Sequence, residues 1–100
     1  MRLEFFDDAA AEVEEDRAWY RHRSESAEAG FLRELDHAIQ QVTHSPSQWP
    51  RYLAGTSRYV FPTYPYSLVY FVEEDIIRVV AVAHDKRRPG YWQKRLRKSR

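Results

Sequence analysis

The sequence contains no cysteine, only three glycines and a single methionine. Without thiols there is neither a disulfide framework nor a thiolate metal site, a composition that suits a reducing cytoplasm. Any metal would have to be held by histidines and carboxylates, yet His22, His37, His44 and His84 are scattered along the chain. A glycine-rich phosphate loop, an HExxH pair and a GxSxG elbow are all missing, so we expect no metal and no nucleotide cofactor. No apolar run approaches the roughly 20 residues of a membrane span. The start, MRLEFFDDAA, carries acids where a secretory leader carries bases. The expectation is a soluble, cytoplasmic protein. One hundred residues fit a single domain, residues 1–100, with a modest core.

What is present divides by charge. The formal net charge is +1, but residues 1–45 hold eleven acids against five Lys/Arg, a formal −6, and residues 46–100 hold four acids against eleven Lys/Arg, a formal +7. Eight of those cations fall between Lys86 and Arg100 with no acid among them. Such a block attracts polyanions or an acidic partner. Its end, from about residue 94 to 100, also reads as a mobile basic tail.

The periodicities divide at the same place. RLEFF is a short strand candidate, and Asp7 or Asp8 offers a cap for a helix beginning at the alanines. From Ala9 to about Arg23, Ala9/Ala10, Val13 and Tyr20 trace one face, with Glu12, Glu14, Glu15 and Arg21 on an exposed acidic one. Ser24 or Ser26 starts a second helix, whose stripe of Phe31, Leu35, Ala38/Ile39 and Val42 ends at the prolines of HSPSQWP. After Pro50, β-branched and aromatic residues take over in RYVFP, YSLVYFV and IIRVVAVAH. Glu73-Glu74-Asp75 is short enough to join the last two as a hairpin. Pro89-Gly90 then ends the final strand, and YWQKRL is long enough for one helical turn folding back on the sheet. The order β-α-α-β-β-β predicts an α+β domain, a helical hairpin on a small, mainly antiparallel sheet.

Chemistry-bearing side chains concentrate after the last strand. On simple alternation His84 shares a face with Ile76, Arg78, Val80 and Val82, which puts Arg78 roughly 20 Å away and out of reach of the same reacting atom. A lone histidine at a strand end is usually structural. Here Lys86, Arg87, Arg88 and Tyr91 follow within one loop, placing a titratable ring beside fixed cations and a phenol. Cleavage of RNA through its 2′-hydroxyl needs a base, an acid and a cation for the phosphorane, and His84, Tyr91 and Arg87 are the corresponding types. Tyr91 and Trp92 read first as apolar anchors and second as stacking platforms. Arg58 is either a partner of Arg87 at the same sheet end or a solubilising strand residue. Trp49 is expected to cap the second helix, and Trp19 to lie in the core or between the helices.

Taken in order, EFFDDAAAEVEEDRAWY, AGFLRELDHAI, the proline-bounded Trp49, Arg58, YPYSLVY and AVAHDKRRPGYWQKR resemble the RelE/ParE superfamily of toxins, from type II toxin–antitoxin and plasmid-stabilisation systems. The resemblance covers nearly the whole chain. It implies a cognate antitoxin whose segment wraps the toxin in a hetero-oligomer. It also implies one of two targets. RelE-like members cleave messenger RNA on the ribosome with strand-borne cations plus a C-terminal arginine and tyrosine or histidine, whereas ParE-like members inhibit DNA gyrase. Arg87 and Tyr91 match the nuclease positions, with His84 beside them. Against that, Ser67 stands where an arginine follows the PY of the strand, and residues 52–57 lack lysines. One missing donor to an oxyanion costs on the order of 3 kcal/mol. The balance therefore favours the ParE-like reading, with Arg58, Lys86, Arg87, Arg88, Tyr91, Trp92 and Arg95 expected to bind target or antitoxin. The nuclease and an inactive, regulatory toxin fold remain the alternatives.

Overall fold

The first helix starts without the expected side-chain cap. In the computed structural model, which describes residues 1–98, β1 (Arg2–Phe5) passes directly into α1 (Asp7–Arg21) with Phe6 as N-cap and no side-chain bond to the orphan amides. Asp7 and Asp8 fall instead in the first turn, where their charge acts on the positive end of the helix dipole. The second helix does follow its signal: α2 (Glu25–His44) is capped by the Ser24 hydroxyl, which accepts the Ala27 N–H at 3.0 Å. It ends two residues before Pro46.

Three strands follow, β2 (Ser57–Val60), β3 (Tyr66–Glu73) and β4 (Ile76–His84). The sheet order is β1-β4-β3-β2. β2, β3 and β4 pair antiparallel, and β1 adds to β4 in parallel, so the α+β architecture is as expected. The β3–β4 turn lies at Glu74-Asp75, with Glu74 at φ 51°. A last short helix, α3 (Gln93–Lys98), follows the turn at Pro89-Gly90. Part of the segment expected as a mobile basic tail is thus helical through Lys98; residues 99–100 lie outside the described residues.

Regular alternation fails once, with consequences for the site. Val69 pairs with Ala81 and Tyr70 with Val79, leaving Val80 as an extra residue in β4. A bulge of this kind shifts every later side chain to the opposite face. Ile77, Val79 and Val82 accordingly pack with the helices, while Val80 and Ala81 join Val69 and Trp92 in a second cluster. His84 therefore shares the helix-side face with Val82, and Arg78 lies on the other face, where it pairs with Glu4 at 3.0 Å. The common face expected for His84, Arg78 and Val80 is corrected by this one residue.

The helix-side core is aromatic. Tyr20 of α1 stacks on Phe31 of α2 with ring centroids 5.4 Å apart, and Phe31 meets Tyr66 of β3 at 5.1 Å. Trp49 closes the end of α2 as expected, donating to the Gln41 carbonyl and packing edge-on to Tyr59 at 4.8 Å. The other face of the sheet is covered by Trp92, 1% exposed. Trp19 departs from expectation: it is 53% exposed, because its side of α1 faces neither α2 nor the sheet.

Gly30 is where the hairpin meets the loop before β3. A Cβ there would come within 3.0 Å of Tyr64 Cζ and closer still to its oxygen, and that hydroxyl donates to the Ala27 carbonyl at 2.8 Å. Gly30→Ala should therefore lower stability by about 1–3 kcal/mol through overpacking, despite the higher helix propensity of alanine. Urea unfolding checks this, and a variant as stable as the parent would show that Tyr64 has room to move.

Candidate functional site

The start of β3, the end of β4, the start of β2 and the turn after β4 form one cleft. Its walls carry Tyr52, Arg58, Ser67, His84, Asp85, Arg87, Arg88, Tyr91 and an edge of Trp92. The turn is built from backbone bonds: Asp85 N–H to the Pro65 carbonyl at 2.9 Å, Arg87 N–H to the His84 carbonyl at 3.0 Å, and Tyr91 N–H to the Arg88 carbonyl at 3.1 Å. Gly90 supplies the positive φ, 79°, that lets the chain turn into α3. The fold thus gathers Arg58, His84, Arg87, Arg88, Tyr91 and Trp92 from two separate stretches. Lys86 is exposed beside the cleft, outside its walls.

The cations are held by aromatic faces. The Arg58 guanidinium lies 4.2 Å from the Tyr52 ring centroid, and that of Arg87 lies 3.9 Å from the Tyr91 centroid. Among the described residues no carboxylate lies within ion-pair distance of Arg58, Arg87 or Arg88. Cation–π contact fixes each guanidinium without neutralising it, leaving its N–H groups directed to an incoming anion.

The Tyr91 hydroxyl and one of the two His84 ring nitrogens are already engaged. Tyr91 donates its hydroxyl to Glu12 Oε2 at 2.5 Å, and burial, reinforced by that bond, pushes the phenol above its ordinary range. His84 accepts the Lys86 N–H at Nδ1, 3.0 Å away, so the proton of the neutral ring sits on Nε2. Its ring packs edge-on to Tyr66 at 5.0 Å. Ser67 is 5% exposed at the cleft floor and brings no charge where a phosphate would need one.

Arg95 and Trp92 are turned mostly inward, with an edge of Trp92 reaching the cleft. Arg95 forks onto Glu12 with two bonds of 3.0 Å, bonds the Val80 carbonyl at 3.0 Å, and approaches Asp8 at 3.7 Å. Trp92 is a core side chain under α3. Their work is to anchor the cap that forms one wall of the cleft.

Two α1 carboxylates are the residues that sequence reasoning missed. Glu12 was placed on an exposed acidic face, yet its side chain is 13% exposed and also accepts the Val82 N–H at 3.0 Å, just past the bulge. Asp16, one turn on, lines the adjoining depression with Glu15, His84 and Arg87. The signal was in the spacing: Ala9, Glu12/Val13, Asp16 and Tyr20 fall at i, i+3/i+4, i+7 and i+11 on one stripe, so the two acids interrupt the apolar face.

Burial pushes the Asp16 carboxyl up to about 6, with Glu12 and Glu15 adding to the shift, and the Tyr66 hydroxyl and Arg87 opposing it. The folded state then binds a proton that the unfolded chain has released, from about pH 4 to pH 6, so stability falls as pH rises through that window. Asp16→Asn should leave stability unchanged near pH 4 and raise it at pH 7.5. Urea unfolding at both values checks the sign; equal effects at the two pH values would contradict it.

The comparisons with known proteins agree with this geometry. A chain of the chromosomal ParDE TA system from P. aeruginosa matches with a TM-score of 0.73 at 14% identity, over 84% of this chain and 95% of that one. The isolated E. coli RelE toxin matches with a TM-score of 0.59 at 20% identity, over 97% of both chains. At these identities the likeness shows a shared fold. No curated protein matches in sequence. The family model for the ParE toxin of the type II toxin–antitoxin system parDE matches residues 3–89. With most of its length under that model, the chain belongs to the ParE toxin family of type II toxin–antitoxin systems.

Proposed function

We propose that the protein inhibits growth by binding DNA gyrase rather than by cutting nucleic acid, and that a cognate antitoxin neutralises it by covering the same cationic cleft. The observation that carries this reading is the contrast within the cleft. Arg58, Arg87 and Arg88 outnumber the one carboxylate of the cleft, Asp85, and none of the three is in an ion pair among the described residues, whereas the Tyr91 hydroxyl is committed to Glu12 and His84 Nδ1 to the backbone of Lys86. Such a surface binds anions well and moves protons poorly. An acidic antitoxin segment would be steered to it by charge and retained by apolar contacts. The toxin then acts in the cytoplasm, as a single domain held in a hetero-oligomer until the antitoxin is lost.

One observation favours the messenger-RNA endonuclease as a second reading: His84, Arg87 and Tyr91 do converge on one cleft. Induction of the protein alone separates the two. The gyrase reading expects DNA damage, an SOS response and intact messages before growth stops. Codon-positioned message cuts with undamaged DNA would overturn it. Growth unaffected by expression would point to an inactive, regulatory toxin fold.

A further inference from the structure

Trp19 is half-exposed but not loose. Its indole packs edge-on to Tyr20 at 4.9 Å, and the Arg23 guanidinium lies 4.0 Å over its ring. A large side chain held in place in the free protein loses little entropy on binding. Trp and Arg are also the side chains most enriched where interfaces concentrate their energy.

The surface beside Trp19 is continuous with the cleft. Trp19, Asp16, Tyr20, Pro65, Tyr66 and His84 line one depression. Asp16 and His84 also line the next, together with Glu12, Glu15, Arg87 and Tyr91. His84, Arg87 and Tyr91 in turn wall the Arg58 cleft. These shared residues join three depressions into one groove, running along α1 and past the start of β3 and the end of β4. Charge changes sign along it: net positive where Arg58, Arg87 and Arg88 outnumber Asp85, negative at Glu15 and Asp16, then aromatic at Trp19 with Arg23 behind. A nucleic-acid strand, negative throughout, meets like charge in the middle. A polypeptide need not, because its charge varies residue by residue.

We propose that this groove is the track of a peptide segment of a protein partner, with acidic side chains between Arg58 and Arg87, a neutral or basic residue beside Asp16, and a large apolar residue anchored on Trp19. The assignment rests on the antitoxin reading above and adds to it the polarity of the segment and its anchor. An extended chain advances ~3.3 Å per residue, so about 12 residues suffice for the 39 Å long axis of the protein.

The test uses labelled synthetic peptides of that length and the full-length protein, with affinity read by fluorescence anisotropy. The probes are an acidic–apolar peptide with a central lysine, the same peptide with its apolar residues changed to serine, and a single-stranded RNA of similar length as competitor. The acidic–apolar peptide should bind wild type, and Trp19→Ala should weaken it about tenfold or more while keeping the salt dependence. Arg87→Glu should weaken it and flatten the salt dependence. The serine peptide should bind wild type and Trp19→Ala alike. Failure of the acidic–apolar peptide to bind, affinity within twofold for Trp19→Ala, or displacement by RNA as effective as by unlabelled peptide would each overturn the groove assignment. Growth inhibition on induction is scored separately, so loss of the toxin reading and loss of the groove reading are distinguishable.

Discussion

Glu12→Ala should cost about 3–5 kcal/mol of stability, the range for removing one partner of a buried, hydrogen-bonded ion pair. The side chains of Glu12 and Arg95 are 13% and 16% exposed, so solvent does little to replace the lost carboxylate. Four donors lose their acceptor: the Val82 N–H, the Tyr91 hydroxyl and both terminal nitrogens of Arg95. Arg95 keeps the Val80 carbonyl, the more distant Asp8 and a loose contact with the Tyr91 ring, 5.3 Å from its centroid. Against a total stability of about 5–15 kcal/mol for a domain of this kind, that is about a fifth or more, and melting should fall by more than about 10 °C. Glu12→Gln, which retains an acceptor oxygen, should lose less. Hydrogen exchange should show residues 91–98 opening first, because Glu12 is the tie between α1, the β4 bulge and α3. A loss under about 1 kcal/mol in urea unfolding would show that Trp92 burial alone holds the cap.

Charge reversal in the cleft should act on function instead of stability. Among the described residues Arg58 and Arg87 make no ion pair, and Arg87 acts on Asp16 only at a distance, so Arg58→Glu with Arg87→Glu should leave the melting temperature within a few degrees. Electrostatic steering is worth about 10- to 1,000-fold in association rate. The double variant should therefore lose growth inhibition and the capacity to be captured by an antitoxin. Tyr91→Phe makes the informative contrast, because it keeps the ring under Arg87 and removes only the hydroxyl. If the cleft binds, this variant should weaken inhibition only as far as its lost bond to Glu12 loosens the cap. If the hydroxyl were a general acid, the effect would be about 100- to 10,000-fold. Growth curves at matched expression distinguish these results, and a Tyr91→Phe variant as inert as the double reversal would contradict the binding account.

The parts of the fold legible in the sequence are those set by local rules. Ser24 capped α2, the prolines after His44 ended it, and the change from helical to alternating periodicity marked the helix–sheet boundary. What was not legible depended on contacts distant in sequence. Trp19 looked like a core residue because aromatic side chains usually are, and only the placement of α2 and β3 shows that its side of α1 is uncovered. The Val80 bulge has no glycine or proline to announce it, so His84 was assigned to the wrong face by counting in twos. Glu12 looked like one acid in an acidic run; its partners Tyr91 and Arg95 lie 79 and 83 residues away. The cleft itself was half visible: Arg87, Arg88 and Tyr91 sit together in sequence, but bringing Arg58 and Ser67 to them required the β2–β3–β4 register.

The central claim is that this cleft holds a protein target and does no chemistry on nucleic acid. The most direct measurement adds the purified protein to purified DNA gyrase in a supercoiling assay and, in parallel, to ribosomes translating a defined message. The account predicts loss of supercoiling as the toxin reaches gyrase concentration, with the message left whole. Undisturbed supercoiling with cuts in the ribosome-bound message would contradict it.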